Sequence, residues 1–312
     1  MTSVAGSAII NAEGIGYALL AELPYTYILL RISYREGESS VGYREATYEE
    51  KHNFTKTALI ISGYDRGELE IDEKHRRLIK RQSLEGENNI GGLGEKTMHL
   101  TFKYFFEPDS SYHEIPVGRH YADIMRDGAV IEIQTKNFCS FRKKLAAVSE
   151  KYPVTVVHPI ISTNRLYTVD RDTGERSKGR VSPVHENIYT VFEELVYIRE
   201  LLGRESLSFV FPVIECESYR ISFDKTKKRK LGSVHYDTIP TNLIGFYEFD
   251  SAFAFAQLLP YTEDILTVKR IAELIGDKRS ASAFVNVLMY LDILCKDGKV
   301  GRANRYVYGE NY

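Results

Sequence analysis

Apolar positions in the middle of the chain change their spacing at defined points. Between Met98 and Phe105 they recur at roughly helical spacing after three closely spaced glycines, which predicts an amphipathic helix with Glu95 in its first turn. The next segment, "SYHEIPVGRHYADIMRDGAVIEIQTK", predicts a run of strands with Asp127-Gly128 as a hairpin turn. A helix ("FCSFRKKLAAVSEKY") and a continuously apolar, buried strand ("PVTVVHPII") follow. The order helix, three strands, helix, strand predicts a mixed α/β core with helices on the faces of its sheet.

The segment before this core has weaker patterning. "YTYILLRISY" (Tyr25–Tyr34) and "TALIISGY" (Thr57–Tyr64) have the β-branched and aromatic content of strands. The highly charged Asp72–Glu87 predicts an exposed helix or a linker. We therefore expect residues 1–87 to form an N-terminal extension or a small domain, whose role the sequence leaves open.

Two further changes follow the core. A strand, a polar hairpin tip, the amphipathic helix "VFEELVYIRELLG" and the strand region "SLSFVFPVIECESYRIS" are predicted up to residue 222. After residue 249, the pattern predicts a helix at Val268–Ile275, a turn at Gly276-Asp277, a helix at Ser280–Ile293, and two short strands around "DGKVGRAN". These changes divide the rest of the chain into predicted domains 88–248 and 249–312.

Composition narrows the class of protein. The 312 residues suffice for two or three domains, and the formal charge of -2 gives no global reason to expect nucleic-acid binding. The three cysteines are far apart and form no CxxC pair, which indicates reduced thiols. No stretch of eighteen apolar residues is present, and the N-terminus lacks a basic region typical of signal peptides. We therefore expect a cytoplasmic protein that does not span a membrane.

Polar side chains interrupt the predicted apolar hairpin. Asp123 lies on one strand, and Glu132 and Gln134 share a face of the next, because strand side chains alternate with period two. Lys136 would continue that row. Two carboxylates about 4 Å apart repel by roughly 4 kcal/mol at a surface-like dielectric, so a shared proton, a basic side chain or a divalent cation must offset the repulsion.

A divalent cation is one of these options. Mg²⁺ prefers oxygen ligands and commonly uses one or two protein carboxylates, so Asp123, Glu132 and the carbonyl of Ile133 would suit it. Glu95 could orient a water molecule or complete a second metal position. The alternative is purely structural: a hairpin whose polar face is solvated or bonded to Arg126 and Lys136, with a helix-stabilising first-turn glutamate.

An acidic helix residue, Glu95, is followed by Asp123, by Glu132-Ile133-Gln134 and by a basic helix. This arrangement resembles that of the PD-(D/E)xK nuclease superfamily and covers residues 90–162. The resemblance implies a restriction-endonuclease-like fold, an Asp and a Glu that bind Mg²⁺ (or Mn²⁺), and an assisting helix Glu. It also implies a lysine two residues after the Glu, where this sequence has Gln134. Lys136, or Arg142 and Lys143 on the next helix, could supply the missing cation, and Gln134 or Lys136 would be the catalytic group that faces the scissile phosphate. Residues 90–308 also resemble a family of uncharacterised bacterial proteins.

The C-terminal segment resembles a winged helix-turn-helix domain, with Ser280–Ile293 as recognition helix and "KDGKVGRANRYVYG" as wing. From Thr267 onward, eight Lys/Arg stand against five Asp/Glu. The resemblance implies phosphate contacts by Lys278 and Arg279 at the helix N-terminus and by Arg302 on the wing. The basic loop "KTKKRK" (Lys225–Lys230) is another candidate for tracking the DNA backbone. A protein-interaction or dimerisation module is the alternative.

Together these patterns predict a Mg²⁺-dependent DNA endonuclease with a winged-helix DNA-binding domain. The other hypothesis is a catalytically inactive, nuclease-like DNA-binding regulator or a protein-interaction module. DNA is the expected partner, no membrane partner is expected, and a homodimer is an assembly that the sequence allows.

Overall fold

A large mixed sheet runs through the computed structural model, which describes residues 42–62, 97–170, 173–222 and 233–312. The strands, numbered in chain order, are β1 Gly42–Glu45, β2 His113–Val117, β3 His120–Arg126, β4 Ala129–Ile133, β5 Val154–Val157, β6 Ile160–Asp170, β7 Arg180–Val181, β8 Leu207–Ser222, β9 Ser233–Phe249, β10 Leu294–Val300 and β11 Ala303–Tyr308. The α-helices are α1 Tyr48–Ser62, α2 Thr97–Phe106, α3 Phe138–Ser149, α4 Phe192–Leu195, α5 Val268–Ile275 and α6 Ala281–Tyr290.

The main sheet has the strand order β1-β9-β8-β5-β4-β3-β2. Its central pairs, β4 with β5 and β5 with β8, are parallel, whereas β2, β3 and β4 form an antiparallel meander on one side. β8 is long enough to pair with β5 along its first part and with β6 along the rest. The predicted mixed α/β architecture, with helices beside a mixed sheet, is confirmed.

Two hydrophobic layers cover the two faces of this sheet. One is formed with α1 and α2 and contains Phe54, Phe102 and Ile131. The other is formed with α3, α4 and the C-terminal helices, and contains Leu145 and Phe284. Because the central parallel strands have helices on both faces, they are apolar along most of their length, and all four residues of β5 are buried.

The predicted order of elements in the core is observed as α2, β2, β3, β4, α3 and β5. The turn between β3 and β4 is Asp127-Gly128, and both residues have positive φ, 51° and 78°. Two such residues form the two-residue turn whose twist matches that of the flanking strands. This tight turn fixes the register of the hairpin that carries Asp123 and Glu132.

One predicted strand is a helix. "TALIISGY" begins inside α1, where Phe54, Thr57 and Ala58 are buried at helical spacing. Thr47 and Glu50 exchange hydrogen bonds at the N-terminus, with Glu50 N–H donating to Thr47 Oγ1 and Thr47 N–H donating to Glu50 Oε2. This reciprocal capping and the burial of one helix face override the β-propensity of the local residues.

The helix predicted over "VFEELVYIRELLG" is largely 3-10. α4 is a single α-helical turn between the 3-10 segments Ile188–Val191 and Val196–Leu201. The helix predicted at Ser280–Ile293 is shorter, because α6 ends at Tyr290 and Asp292 has a positive φ of 54°.

Segments predicted to belong to flanking domains contact the central core. β1 pairs with β9 and extends the sheet, although it lies within the predicted N-terminal unit 1–87. Apolar residues of α6 belong to the same hydrophobic cluster as those of α3. The predictions at Tyr25–Tyr34, Asp72–Glu87 and Lys225–Lys230 lie outside the described residues.

No helix in the described ranges is both long and apolar enough to cross a membrane.

Candidate active site

Asp123 and Glu132 meet where β3 and β4 separate. The last pairs of the ladder are Ile124↔Ile131, Met125↔Val130 and Arg126↔Ala129, so the next pair in this register would set Asp123 opposite Glu132. The ladder stops there, and the backbone N–H of Ile133 donates to Asp123 Oδ2 at 2.7 Å. β4 then continues alone beside β5, with Glu132 in register with Val156. The two carboxylates therefore lie at a fork between strands, near the carboxyl end of β4, where ligands of α/β sheets commonly bind.

A lysine from the next helix lies between the two carboxylates. Lys144 Nζ is 2.5 Å from Glu132 Oε2 and 3.4 Å from Asp123 Oδ1. The Glu132 side chain is 1% exposed, and that of Lys144 is 24% exposed. Lys144 thus reaches the buried glutamate while part of its own chain remains in contact with solvent.

The start of α3 places this lysine. Asn137, the N-cap residue, has left-handed backbone angles and no side-chain capping bond. Instead Glu194, from α4, accepts a hydrogen bond from the Phe138 backbone N–H at 2.8 Å. Phe138, Phe141 and Leu145 pack their side chains into the core. The spacing of these buried residues directs Lys144, one position before Leu145, along the edge of the buried face toward β4.

His99 approaches from the opposite layer. It lies in the first turn of α2, and its Nε2 is 3.4 Å from Asp123 Oδ2. Asp123 therefore contacts groups from α2, α3 and β4. Side chains from both helical layers converge on this one carboxylate.

The charges of the site shift each other's pKa values. Burial would raise the pKa of Asp123, but the hydrogen bond from His99 and the charge of Lys144 outweigh it and lower the pKa to about 2. Burial and the neighbouring Asp123 charge raise the pKa of Glu132 to about 8, against the opposing effect of Lys144. Burial would lower the pKa of Lys144, but the two carboxylates raise it. The arrangement favours one ionised aspartate, one charged lysine and a glutamate that holds a proton at neutral pH.

The donor set fits a small divalent cation. Glu132 Oε1 is buried and has no hydrogen-bond partner in the described part of the chain. A buried carboxylate oxygen with no partner is costly, and a cation or a water molecule would satisfy it. The described ranges contain no cluster of three or more His, Cys, Asp or Glu side chains arranged to hold a metal. Two carboxylates are nevertheless a usual protein contribution to a Mg²⁺ site, which keeps several waters or substrate oxygens.

The other predicted catalytic residues lie elsewhere. β4 ends at Ile133, so Gln134 and Lys136 follow the strand, and the Gln134 backbone N–H still donates to the Val157 carbonyl of β5 at 2.9 Å. The Gln134 side chain donates to the backbone carbonyl of Lys136, and Lys136 is exposed. Glu95 lies outside the described residues.

The residues predicted to contact nucleic acid are exposed, and two of them are ion-paired. Arg142, on α3, is 2.8 Å from Glu200, and Lys143 beside it is on the solvent side. Arg279, in the turn before α6, is 2.8 Å from Glu193. Lys278 in the same turn and Arg302 in the turn between β10 and β11 are also exposed.

A small cavity joins two of these regions. A cavity of about 190 Å³ is lined by Thr135, Lys136 and His158 together with Glu193 and Arg279. Lys136 follows the strand that bears Glu132, whereas Arg279 precedes α6. The turn between α5 and α6 thus lies beside the loop that follows β4.

Sequence reasoning missed the roles of Lys144 and His99. The basic run on α3 predicts a solvated helix face, from which Arg142 and Lys143 are the candidate cations and Lys144 is not. The amphipathic pattern could have indicated that Lys144 lies beside the buried face of α3, because it directly precedes buried Leu145 and lies three residues after buried Phe141. His99 follows buried Met98 in the same way, on a helix predicted to cover the sheet.

Comparisons with known proteins give a family match without a stated activity. Residues 96–250 match the family described as Domain of unknown function (DUF8091), a span that includes Asp123, Glu132 and Lys144. A protein of Treponema pallidum (strain Nichols), described as an uncharacterized protein, is 28% identical over 143 residues. That alignment covers 45% of this chain and 56% of the relative, so the chain spans little more than half of the relative's length. No solved structure matches.

Proposed function

We propose that this protein is a divalent-metal-dependent phosphodiester hydrolase acting on DNA, with a restriction-endonuclease-like core. The observation that carries the proposal is the convergence of Asp123, Glu132 and Lys144 at the fork between β3 and β4. Two carboxylates and a lysine are the side chains that the PD-(D/E)xK resemblance implies. The helix, three strands, helix, strand order of the surrounding elements supports it as well.

Each of the three side chains has a distinct role in this proposal. Asp123 and Glu132 hold the cation, and the Ile133 N–H that bonds Asp123 Oδ2 fixes the aspartate's orientation. Lys144 supplies, from α3, the positive charge that Gln134, directly after β4, cannot supply. When bound, a divalent cation would stabilise the negative charge that builds on the phosphate during hydrolysis. Lys144 adds a second positive group on the solvent side of the glutamate, where a phosphate can approach.

The C-terminal elements support a DNA-binding role. α5 and α6 are followed by the β10–β11 hairpin, and Leu266 pairs with Tyr306 of β11. Two helices and a small antiparallel sheet in this order are compatible with the winged helix that the sequence resembles. Exposed Lys278, in the turn between α5 and α6, and Arg302, in the turn between β10 and β11, would face the DNA backbone.

Plasmid cleavage in Mg²⁺ or Mn²⁺ tests the proposal. Asp123→Asn and Glu132→Gln preserve side-chain shape but weaken metal binding, and each should abolish cleavage. Asp127→Asn is the matched control, because Asp127 lies on the same hairpin, is 90% exposed and tolerates asparagine at its positive φ. Cleavage that survives both site substitutions would rule out this site as the source of the activity.

A second candidate function is a catalytically inactive DNA-binding regulator. Gln134 in place of lysine, with its amide turned to the Lys136 carbonyl, is the observation that favours it. That protein would bind DNA in a salt-dependent manner but would not cleave it with either metal. Wild-type binding without cleavage over a wide range of metal concentration would select this function.

A further inference from the structure

The position of Lys144 raises a question that the proposed function leaves open. Its ammonium lies 2.5 Å from Glu132 Oε2 and 3.4 Å from Asp123 Oδ1, so it lies where a cation held by both carboxylates would lie. A lysine that only faced the scissile phosphate would not need to contact both carboxylates. The contact indicates that the Lys144 ammonium serves as a counterion for the carboxylates.

One ammonium satisfies this site incompletely. Glu132 Oε1 remains buried without a hydrogen-bond partner in the described ranges, although Oε2 of the same carboxylate is bonded to Lys144. Once Glu132 gives up its proton, a single ammonium faces two negative charges and leaves one of them uncompensated. A divalent cation would neutralise both charges and occupy the unsatisfied oxygen, so the same oxygen atoms have two competing ligands.

A metal and an ammonium cannot share these oxygen atoms at close range. Their repulsion at a few ångströms is stronger than that of two single charges, and burial strengthens it further. Lysine can move away, because its four-carbon stem is flexible and 24% of the Lys144 side chain is exposed. The helix that carries it need not move, since α3 is anchored by buried Phe138, Phe141 and Leu145.

We propose that Lys144 is a displaceable internal counterion, which occupies the cation position of Asp123 and Glu132 until a divalent metal binds and drives its ammonium outward. This inference rests on the proposed metal site and adds a regulatory property to it. In the metal-free protein the lysine compensates the charge of Asp123 and contacts the Glu132 side chain. In the metal-bound protein the released ammonium faces the side from which a phosphate arrives. Metal binding and substrate contact by Lys144 are thereby linked.

Calorimetric titration of the full-length protein with Mn²⁺, without nucleic acid, tests the competition. Lys144→Met keeps the length of the side chain and removes its charge. This variant should bind Mn²⁺ roughly tenfold or more tightly than the wild type, since no ammonium has to be displaced. Lys143→Met removes the adjacent, exposed charge on the same helix and should leave the affinity for Mn²⁺ nearly unchanged.

The outcomes separate the two proposals. Equal or weaker Mn²⁺ binding by Lys144→Met, with measurable binding by the wild type, would overturn the counterion role and leave the metal site standing. Failure of both proteins to bind Mn²⁺ would overturn the metal site itself, and the proposed hydrolase with it.

A measurement on the wild-type protein keeps the test independent of whether the variant folds. Reductive methylation followed by mass spectrometry reports how accessible each lysine amine is. Saturating Mn²⁺ should increase the labelling rate of Lys144 several-fold and leave that of Lys143 unchanged. Metal binding with no change at Lys144 would contradict the displacement.

Discussion

Glu132 Oε2 lies 2.5 Å from Lys144 Nζ, and this contact joins a strand in the centre of the sheet to a helix on its face. The glutamate is almost fully buried, and burial and Asp123 raise its pKa to about 8. A buried ionisable group with a raised pKa costs stability whenever it must ionise. Residues of the candidate site should therefore influence the stability of the fold as well as the proposed activity.

Glu132→Gln should change how stability depends on pH. In the wild type, the unfolded glutamate ionises above its ordinary pKa of 4.5, whereas the folded one keeps its proton until about pH 8. The folded state binds more protons in this window, so wild-type stability falls as pH rises from about 5 to 8. Glutamine removes this loss, and we expect the variant to gain roughly 1 to 3 kcal/mol relative to the wild type over the window.

Urea unfolding at pH 5 and pH 8 in the presence of a chelator measures this change. Asp127→Asn serves as the control and should follow the wild type at both pH values, because Asp127 is 90% exposed. An unchanged difference between wild type and Glu132→Gln across the two pH values would show that Glu132 has no raised pKa.

Glu193→Gln should strengthen DNA binding. Glu193 holds the Arg279 guanidinium at 2.8 Å, so in the folded protein this cation already has an anionic partner. Removing the carboxylate frees Arg279 for a phosphate and should steepen the salt dependence of binding by about one phosphate contact. Fluorescence anisotropy at several salt concentrations measures the slope.

The double variant Glu193→Gln/Arg279→Ala provides the control for this prediction. It should lose the gain and bind no more tightly than the wild type. If DNA affinity still increased without Arg279, the cause would be the general loss of negative charge.

His158 should make the fold less stable in mild acid. Burial lowers the pKa of His158, and its Nδ1–H donates to the Gln134 carbonyl at 2.5 Å. Below its ordinary pKa of 6.5 the unfolded histidine takes up a proton that the folded one resists, so stability falls as pH falls below about 6.5. His158→Leu should remove this part of the pH dependence, even if the lost hydrogen bond lowers stability at every pH.

Thermal unfolding at pH 5.5 and pH 7.5 tests the histidine. His185 is the matched comparison, because its Nδ1 also bonds a backbone carbonyl, that of Ser162, but on an exposed residue. His185→Leu should keep the wild-type pH dependence. If both variants showed the same pH dependence, burial of His158 would not be the cause of the loss of stability in mild acid.

Phe284→Ala should destabilise the whole protein. The Phe284 ring lies 4.7 Å from that of Phe192 and 5.3 Å from that of Tyr189, between α6 and the segment around α4. Truncating a fully buried phenylalanine typically costs about 3 to 5 kcal/mol. Because its cluster also contains α3 and sheet residues, we expect one unfolding transition at lower denaturant concentration.

Circular dichroism and tyrosine fluorescence, followed together in urea, check the prediction. Phe253→Ala is the control, since Phe253 is 39% exposed and should cost less than about 1 kcal/mol. Two separate transitions in Phe284→Ala would show that the C-terminal segment unfolds independently.

Much of the central core could be predicted because its signals are local. The turn at Asp127-Gly128, the apolar run of β5 and the helical spacing of α3 each lie within a few residues of one another. Local turn chemistry and periodicity therefore give both the elements and their order. At Thr57–Ser62, the described part of a predicted strand, the same reasoning is wrong, since the β-branched residues fit a strand, but burial against the sheet and a capped N-terminus at Thr47 select a helix.

The hairpin that carries Asp123 and Glu132 follows from the sequence alone, since alternation and turn geometry are properties of neighbouring residues. Which cation faces these carboxylates depends on the packing of α3 against the sheet. Arg142, Lys143 and Lys144 form one run of positive charges in the sequence, and the rotation of α3 on the sheet is what distinguishes them. That rotation depends on the buried apolar residues of α3 packing against distant segments, and contacts between residues far apart in sequence leave no local pattern to read.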